Sequence, residues 1–383
     1  MMALKHLHNI EDLRQAAHTY LPRLVWDYFE GGAEDEQCLQ RNRAAYAAIE
    51  LLPNYLVDVS APDTRTTLFG HTWRSCFGIA PMGLQGFARA GADLMLARAA
   101  AARGIPFVLS GAGTASIEAV CAACEHAWFQ LYVARDQAVT RDLVRRARDS
   151  GVEVLVLTVD APVHSKRERD LRNGFVPPPR IRWPLLLEML QHPAWCLDKL
   201  RHGLPRFENW APYAGADASA QAIADYFSRQ IPFTQTWQDL AELRREWPGR
   251  LVLKGLLSAA DAQRAAAVGV DALILSNHGG RVLDSAPSPL HQLALVRAAV
   301  GADMPLMLDS GLRRGSDIVK ALALGADFVW IGRPALYGVA AHGQAGAERA
   351  IEVLQEELEL TLAQIGRPCV STLASAGELL CGR

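Results

Sequence analysis

The chain has 383 residues, half of them hydrophobic and 21% charged, with a formal net charge of -2. That balance describes a globular protein and carries no basic excess with which to hold nucleic acid. Met1–Ile10 contains Lys5, His6 and His8 but no apolar run, and no stretch of about 18 apolar residues occurs, so neither a secretory leader nor a membrane-crossing helix is expected.

After a mostly helical N-terminal section, eight short apolar runs follow in order. They begin with Phe77–Ala80, Pro106–Leu109, Trp128–Val133 and Val152–Val159, and continue with Leu251–Lys254, Ala272–Leu275, Pro305–Leu308 and Phe328–Ile331. Each is nearly continuous and rich in bulky or β-branched residues, as strands buried on both faces are. Between them helical spacing covers Ala92–Arg103, Ile117–Cys124, Asp142–Ser150, Trp237–Trp247, Ala259–Val268, Pro287–Val300 and Ser316–Leu324. Gly104, Gly151, Gly269, Gly301 and Gly325 stand where these helices should stop. Strand and helix alternating eight times predicts an α/β fold, a (β/α)8 barrel; a doubly wound open sheet is the competing arrangement. The expected organisation is one domain over residues 1–383, closed by a Glu-rich helix at Glu348–Ile365 on the barrel exterior or in a subunit interface.

One interval breaks the rhythm. Residues 173–232 form an insertion after the fourth strand, with Pro177-Pro178-Pro179, Arg180–Leu187, Trp195, Lys199, Arg201, Arg206 and Trp210. Basic and apolar residues interleaved with tryptophan suit an anionic membrane surface, and a self-packed or disordered lid is the alternative. Seven scattered cysteines, an odd number, fit a reducing cytoplasm. Cys121 and Cys124 form a CxxC among alanines and read as buried helical thiols rather than a redox pair. No His, Cys and carboxylate set has metal-ligand spacing.

Chemistry-bearing residues collect at the strand ends, the catalytic rim of such a barrel. The sixth strand runs into Ser276-Asn277-His278-Gly279-Gly280-Arg281. His278 is a candidate general base, and Arg281 offers a planar fork for a carboxylate. The fourth strand ends in Thr158-Val159-Asp160, and an aspartate there can hold a histidine's tautomer. Arg167 is a second candidate carboxylate clamp, set in a charged run that could otherwise be a solvated face. Lys254 ends the fifth strand and must meet an anion or stay neutral; a Schiff-base lysine is the other reading. Asp309-Ser310-Gly311, Arg313 and Gly332-Arg333 follow the last two strands, where barrels bind phosphate. No G-x-G-x-x-G nicotinamide fingerprint follows the first strand.

On these motifs, with Ala321–Ala326 leading to Gly332-Arg333, the sequence resembles the FMN-dependent 2-hydroxy-acid oxidase and dehydrogenase family from about Asp27 to Gly366. Tyr28, ahead of Gly31-Gly32-Ala33-Glu34-Asp35, matches its substrate-binding tyrosine, and Tyr132, in Phe129-Gln130-Leu131-Tyr132, its active-site tyrosine. The resemblance implies FMN, with Pro81, Met82 and Gly83 beside it. Ser110, Gln130, Thr158 and Ser276 would contact its ring or tail, and Lys254 would stabilise the reduced form. Asp309 and Gly311 would join the cofactor site, and Arg313, Gly332 and Arg333 would hold the phosphate. His278 would be the base, Asp160 its partner, Tyr132 a further catalytic group, and Tyr28, Tyr132, Arg167 and Arg281 the substrate's ligands.

Gly83 matches the lactate and mandelate dehydrogenases, where glycolate oxidases carry alanine, and Ala112 replaces the oxidases' tryptophan. The small pair implies room for a larger, (S)-mandelate-like 2-hydroxy acid. Lys166–Asp170 and Lys254–Ser258 resemble mandelate dehydrogenase, and His192-Pro193-Ala194-Trp195 the bacterial L-lactate dehydrogenases. The family further implies a homotetramer, a cytoplasmic enzyme that can sit on the membrane's inner face, and a quinone or similar electron acceptor. An oxidase using oxygen, or a barrel that only binds a phosphorylated ligand, would carry much of the same sequence.

Overall fold

The computed structural model describes residues 3–175, 183–215, 217–231, 234–373 and 380–381. Pro177, Pro178, Pro179, Arg180, Ile181, Arg182 and Pro232 of the insertion lie outside these residues. Eight strands form the centre: β1 (Phe77–Ile79), β2 (Val108–Ser110), β3 (Trp128–Leu131), β4 (Val154–Thr158), β5 (Arg250–Leu256), β6 (Ala272–Leu275), β7 (Leu306–Leu308) and β8 (Phe328–Ile331). They are parallel and hydrogen-bonded in the order β1-β8-β7-β6-β5-β4-β3-β2. A parallel bridge between Ile79 and Phe107, with Ile79 N donating to Pro106 O at 2.9 Å, joins the ends into a barrel.

The intervening helices fall within a few residues of the predicted spans, because local caps set their starts. Ser258 Oγ accepts from Asp261 N at 3.1 Å, and Thr236 and Asp239 form a reciprocal capping box. The helix predicted from Asp142 begins at Gln137, where the Asp136 side chain accepts from Ala138 N at 2.9 Å. The Glu-rich segment belongs to a longer helix, Arg333–Gln364, bent at His342 and Gly343. All five predicted helix-stop glycines have positive φ.

Strand alternation places Val108, Trp128, Val154, Val156, Val252, Ala272, Ile274, Met307, Phe328 and Trp330 inside the barrel, where they pack as one apolar cluster with Leu68 and Trp73. Leu68 and Trp73 come from the hairpin of Thr66–Leu68 and His71–Trp73, which closes the N-terminal end. One pleat further along the strands the inward positions turn polar: Ser110, Gln130, Thr158, Lys254, Ser276 and Asp309, all buried. The polar layer is the floor of the site.

The described part of the insertion has both a buried and an exposed face. It forms helices at Trp183–Met189, Pro193–His202, Ala211–Ala214 and Ala220–Gln230. Trp195, Lys199 and Trp210 point inward and are buried, whereas Trp183, Leu187, Leu190, Leu197, Leu200 and Leu204 are exposed. Interleaving in sequence did not reveal which face each residue occupies. Cys121 and Cys124 lie in and just after the helix Ile117–Ala123, where burial pushes both thiols up to about 11, as expected of inert helical cysteines.

Candidate active site

A cavity of about 300 Å³ opens at the C-terminal ends of the strands. Its lining brings together Tyr28, Pro81, Met82, Gly83, Tyr132, Arg167, Lys254, His278, Arg281, Asp309, Gly311, Arg313, Gly332 and Arg333. Ser110, Gln130, Thr158 and Ser276 lie in the polar layer and are not part of that lining, and Asp160 stands behind His278.

His278 has φ +58°, an unusual backbone for a residue with a side chain, and its main-chain N donates to Ser276 Oγ at 3.0 Å. Its Nδ1 lies 2.9 Å from Asp160 Oδ1, which leaves Nε2 as the other ring nitrogen. Burial works to raise the Asp160 carboxyl, but its pairing with His278 and the charge of Lys254 outweigh it and hold Asp160 below the ordinary carboxylate range. Gly255 makes the pairing possible: its φ is +109°, and a Cβ there would stand 2.6 Å from Asp160 Cβ. Lys254 Nζ lies 3.0 Å from Asp309 Oδ2 and donates to Ser276 Oγ at 2.8 Å. Burial pulls this lysine's pKa down, yet Asp309 and Asp160 reverse the sign and keep it charged. Within the protein itself Asp309 is thus an anion that meets Lys254.

Two guanidiniums flank one ring. Arg167 and Arg281 stand over Tyr28 at 5.2 and 5.1 Å from its centroid. Arg281 Nη1 donates to the carbonyls of Tyr28 at 2.6 Å and Gly31 at 2.9 Å, which fastens this turn to the barrel. Burial and then the charge of Arg167 push Arg281 down to about 9. Such a pair gains when a small anion enters between them. Tyr132 is raised by burial and by the neighbouring Asp160, so its phenol stays protonated as a donor. Arg333 sends Nε to Phe29 O at 3.0 Å, Nη2 to Glu30 O at 3.3 Å and Gly31 O at 3.2 Å, and Nη1 to Gly279 O at 3.0 Å, so most of its fork holds the backbone at the end of the helix Arg23–Glu30.

The family model for FMN-dependent dehydrogenases matches residues 17–378. The chain belongs to the FMN-dependent dehydrogenase family. It is 44% identical to (S)-mandelate dehydrogenase of Pseudomonas putida over 371 residues, covering 97% of this chain and 93% of that protein. It is 40% identical to L-lactate dehydrogenase of Caulobacter vibrioides over 372 residues, covering 96% of each. The crystal structure of an (S)-mandelate dehydrogenase, described as a monotopic membrane protein, superposes with a TM-score of 0.94 at 43% identity, covering 99% of this chain and 100% of that one.

The residues of this dehydrogenase fit FMN. Among the described residues, Gln130 Nε2 and Thr158 Oγ1 are buried with no hydrogen-bond partner, although the neighbouring Ser110 Oγ donates to Gln130 Oε1 at 3.0 Å. Orphaned polar atoms in the buried layer beneath a cavity suit a polar ligand above them. At the β8 end, Gly332 caps the helix Arg333–Gln364 without a side-chain hydrogen bond, and a Cβ on it would approach only Met82 at 3.6 Å, so the main chain there lies bare to the cavity beside Arg313, as a phosphate site requires. FMN supplies the acceptor for two electrons when bound.

Sequence reasoning missed part of the lining. Val163, His164 and Ser165 follow β4, while Phe227 and Ile231 come from the end of the insertion. The amphipathic spacing of Ala220–Gln230 was the one signal that this helix had a buried face to place. Phe175, packed on Tyr28 with ring centroids 4.7 Å apart, left no comparable signature.

Proposed function

We propose that this dehydrogenase oxidises an (S)-2-hydroxy acid with a bulky, mandelate-like side chain to the 2-oxo acid. The observation that carries this reading is the half-buried arginine pair flanking Tyr28 beside the His278–Asp160 couple in one cavity. Arg167 and Arg281 receive the substrate carboxylate, each as a planar fork. Tyr28 and Tyr132 donate to the carboxylate and hydroxyl region. His278 accepts the proton released as the alcohol becomes a carbonyl, and Asp160 stabilises the resulting imidazolium. The polar floor of Ser110, Gln130, Thr158 and Ser276, with Lys254 held by Asp309, cradles the cofactor, and Pro81, Met82 and Gly83 lie along it. Gly311, Arg313 and the main chain at Gly332 and Arg333 hold its phosphate. Side-chain room comes from Gly83 facing Ala112, where neither residue projects beyond a methyl group.

The test is the visible spectrum of the purified protein under anaerobic conditions, before and after (S)-mandelate or L-lactate. Fast bleaching of a yellow protein by mandelate and slow bleaching by lactate is expected. Fast bleaching by lactate alone would move the substrate to short aliphatic acids, a reading favoured by the Caulobacter relative; a colourless protein would overturn the assignment. Peroxide released under air would make oxygen the acceptor in place of a quinone.

Membrane contact is supported by the exposed apolar side chains of Trp183, Leu187, Leu190, Leu197 and Leu200, and by the monotopic membrane relative. A quinone dissolved in that membrane would take the electrons, and a homotetramer, as in the family, would present four such faces. Replacing Leu197 and Leu200 by Gln should release the protein from anionic vesicles while a soluble dye still accepts electrons. Deleting the whole insertion is a poor test, because Trp195, Lys199 and Trp210 are part of the interior.

A further inference from the structure

The buried half of the insertion grips the two loops that form one wall of the cavity. Trp210 is fully buried, and its Nε1 donates to Gly111 O at 2.7 Å. The next residue is Ala112, and a Cβ built on Gly83 would stand only 3.1 Å from Ala112 Cβ. Leu84 N donates to Ala112 O at 2.8 Å, so the loop after β1 and the loop after β2 are tied at the same point. Thr114 supplies a second tie: its N donates to Asp93 Oδ2 at 3.0 Å, its hydroxyl also bonds Asp93, and its Oγ1 accepts from Gly86 N at 3.0 Å. Lys199 Nζ donates to Gly86 O at 2.6 Å from the insertion's side.

We propose that Trp210 is a positioning residue that sets the width of the substrate's side-chain space by holding Ala112 in place against Gly83. Nothing assigned to the reaction uses this indole, which touches neither the cavity nor the His278–Asp160 couple. Its single N–H satisfies a buried carbonyl. Without it Gly111 O would be left unpaired, and the segment from Gly111 to Gly113 would shift to recover a partner. Gly83, having no side chain, offers nothing to stop that shift. Discrimination between aromatic and short 2-hydroxy acids then depends on a hydrogen bond made by the insertion. This inference rests on the proposed substrate class.

The experiment uses the full-length flavoprotein and Trp210→Phe, which keeps a buried ring and removes the N–H. Two quantities are read for each protein. One is the ratio of kcat/KM for (S)-mandelate to that for L-lactate. The other is the ratio of dissociation constants for phenylacetate and propionate, acids that lack the hydroxyl and cannot be oxidised. Both preferences should fall about tenfold, the scale of one buried hydrogen bond. The mandelate change should appear in KM, with kcat for lactate and FMN content held within about twofold. An unchanged preference, or an equal loss for both acids, would overturn the proposal, since a general weakening of the fold does not choose between side chains. Should Trp210→Phe fail to accumulate, Thr114→Val, which cuts the second tie, decides by the same ratios. A wild-type protein that oxidises neither acid would refute the substrate class, while the phenylacetate-to-propionate ratio would still judge Trp210.

Discussion

On β5, Val252 and Lys254 point into the barrel one pleat apart and are equally hidden from solvent. Val252 packs in the apolar cluster with Val156 and Ile274, whereas Lys254 meets Asp309 and Ser276. The same difference holds from β2 to β7, apolar below and polar above. Burying a valine contributes roughly 2 kcal/mol to folding, whereas a buried ion pair contributes little net stability. The lower layer therefore holds the cylinder together, and the upper layer spends burial on fixing charges where a ligand will lie. An interior with two such layers should answer mutation in two different ways.

The largest effect should come from the upper rim. His278→Ala should lower turnover by up to about 10⁴-fold, on the order of 5 kcal/mol of barrier, while the flavin absorbance remains; anaerobic stopped-flow reduction checks it. Below, Phe328→Ala should cost about 3–5 kcal/mol of stability by leaving a cavity, yet leave KM nearly unchanged in the protein that stays folded, as denaturant titration with parallel kinetics would show. If KM moved with it, the layers would not be independent. Gly255→Ala crosses the boundary: a Cβ at φ +109° and against Asp160 should push the carboxylate off His278 and cost about 10²-fold in kcat, roughly 3 kcal/mol, together with some stability.

The smallest effect concerns Asp93, buried outside the barrel. Burial, only partly offset by the Thr114 hydrogen bonds, raises its carboxyl to about 6. The folded state thus keeps a proton that the unfolded chain gives up nearer 3.8, so stability falls as pH rises from about 4 to about 6 and the loss persists above. Asp93→Asn should remove that fall, gaining roughly 2 kcal/mol at pH 7 relative to pH 4, as melting curves across the range would report.

The barrel was legible because strands covered on both faces read as unbroken apolar runs, and His278, Arg281, Asp160 and Lys254 were legible because each sits at the end of one. What joined them was not. The contact of His278 with Asp160 spans 118 residues, and the pairing of Lys254 with Asp309 depends on barrel closure rather than on either motif. Arg333 was read as a phosphate ligand, yet its fork lies mainly on the carbonyls of a distant turn, which no spacing encodes. Trp195, Lys199 and Trp210 looked like a surface series because tryptophan and lysine are equally at home at an interface and in a satisfied interior. Only the carbonyls of Phe87, Gly86 and Gly111, far off in sequence, settle their direction.

The bridge between Ile79 and Phe107 has a mechanical consequence. Neighbouring staves of the cylinder share registers of two to five residues, while β1 and β2 meet at that single bridge. A hoop under tension parts first at its thinnest joint, and this joint lies directly beneath the loops bearing Gly83 and Ala112. The insertion crosses it from outside, with Lys199 on the β1 side at Gly86 and Trp210 on the β2 side at Gly111. The segment that offers leucines to the surroundings thus also buckles the barrel's seam from outside, holding the β1 side through Gly86 and the β2 side through Gly111.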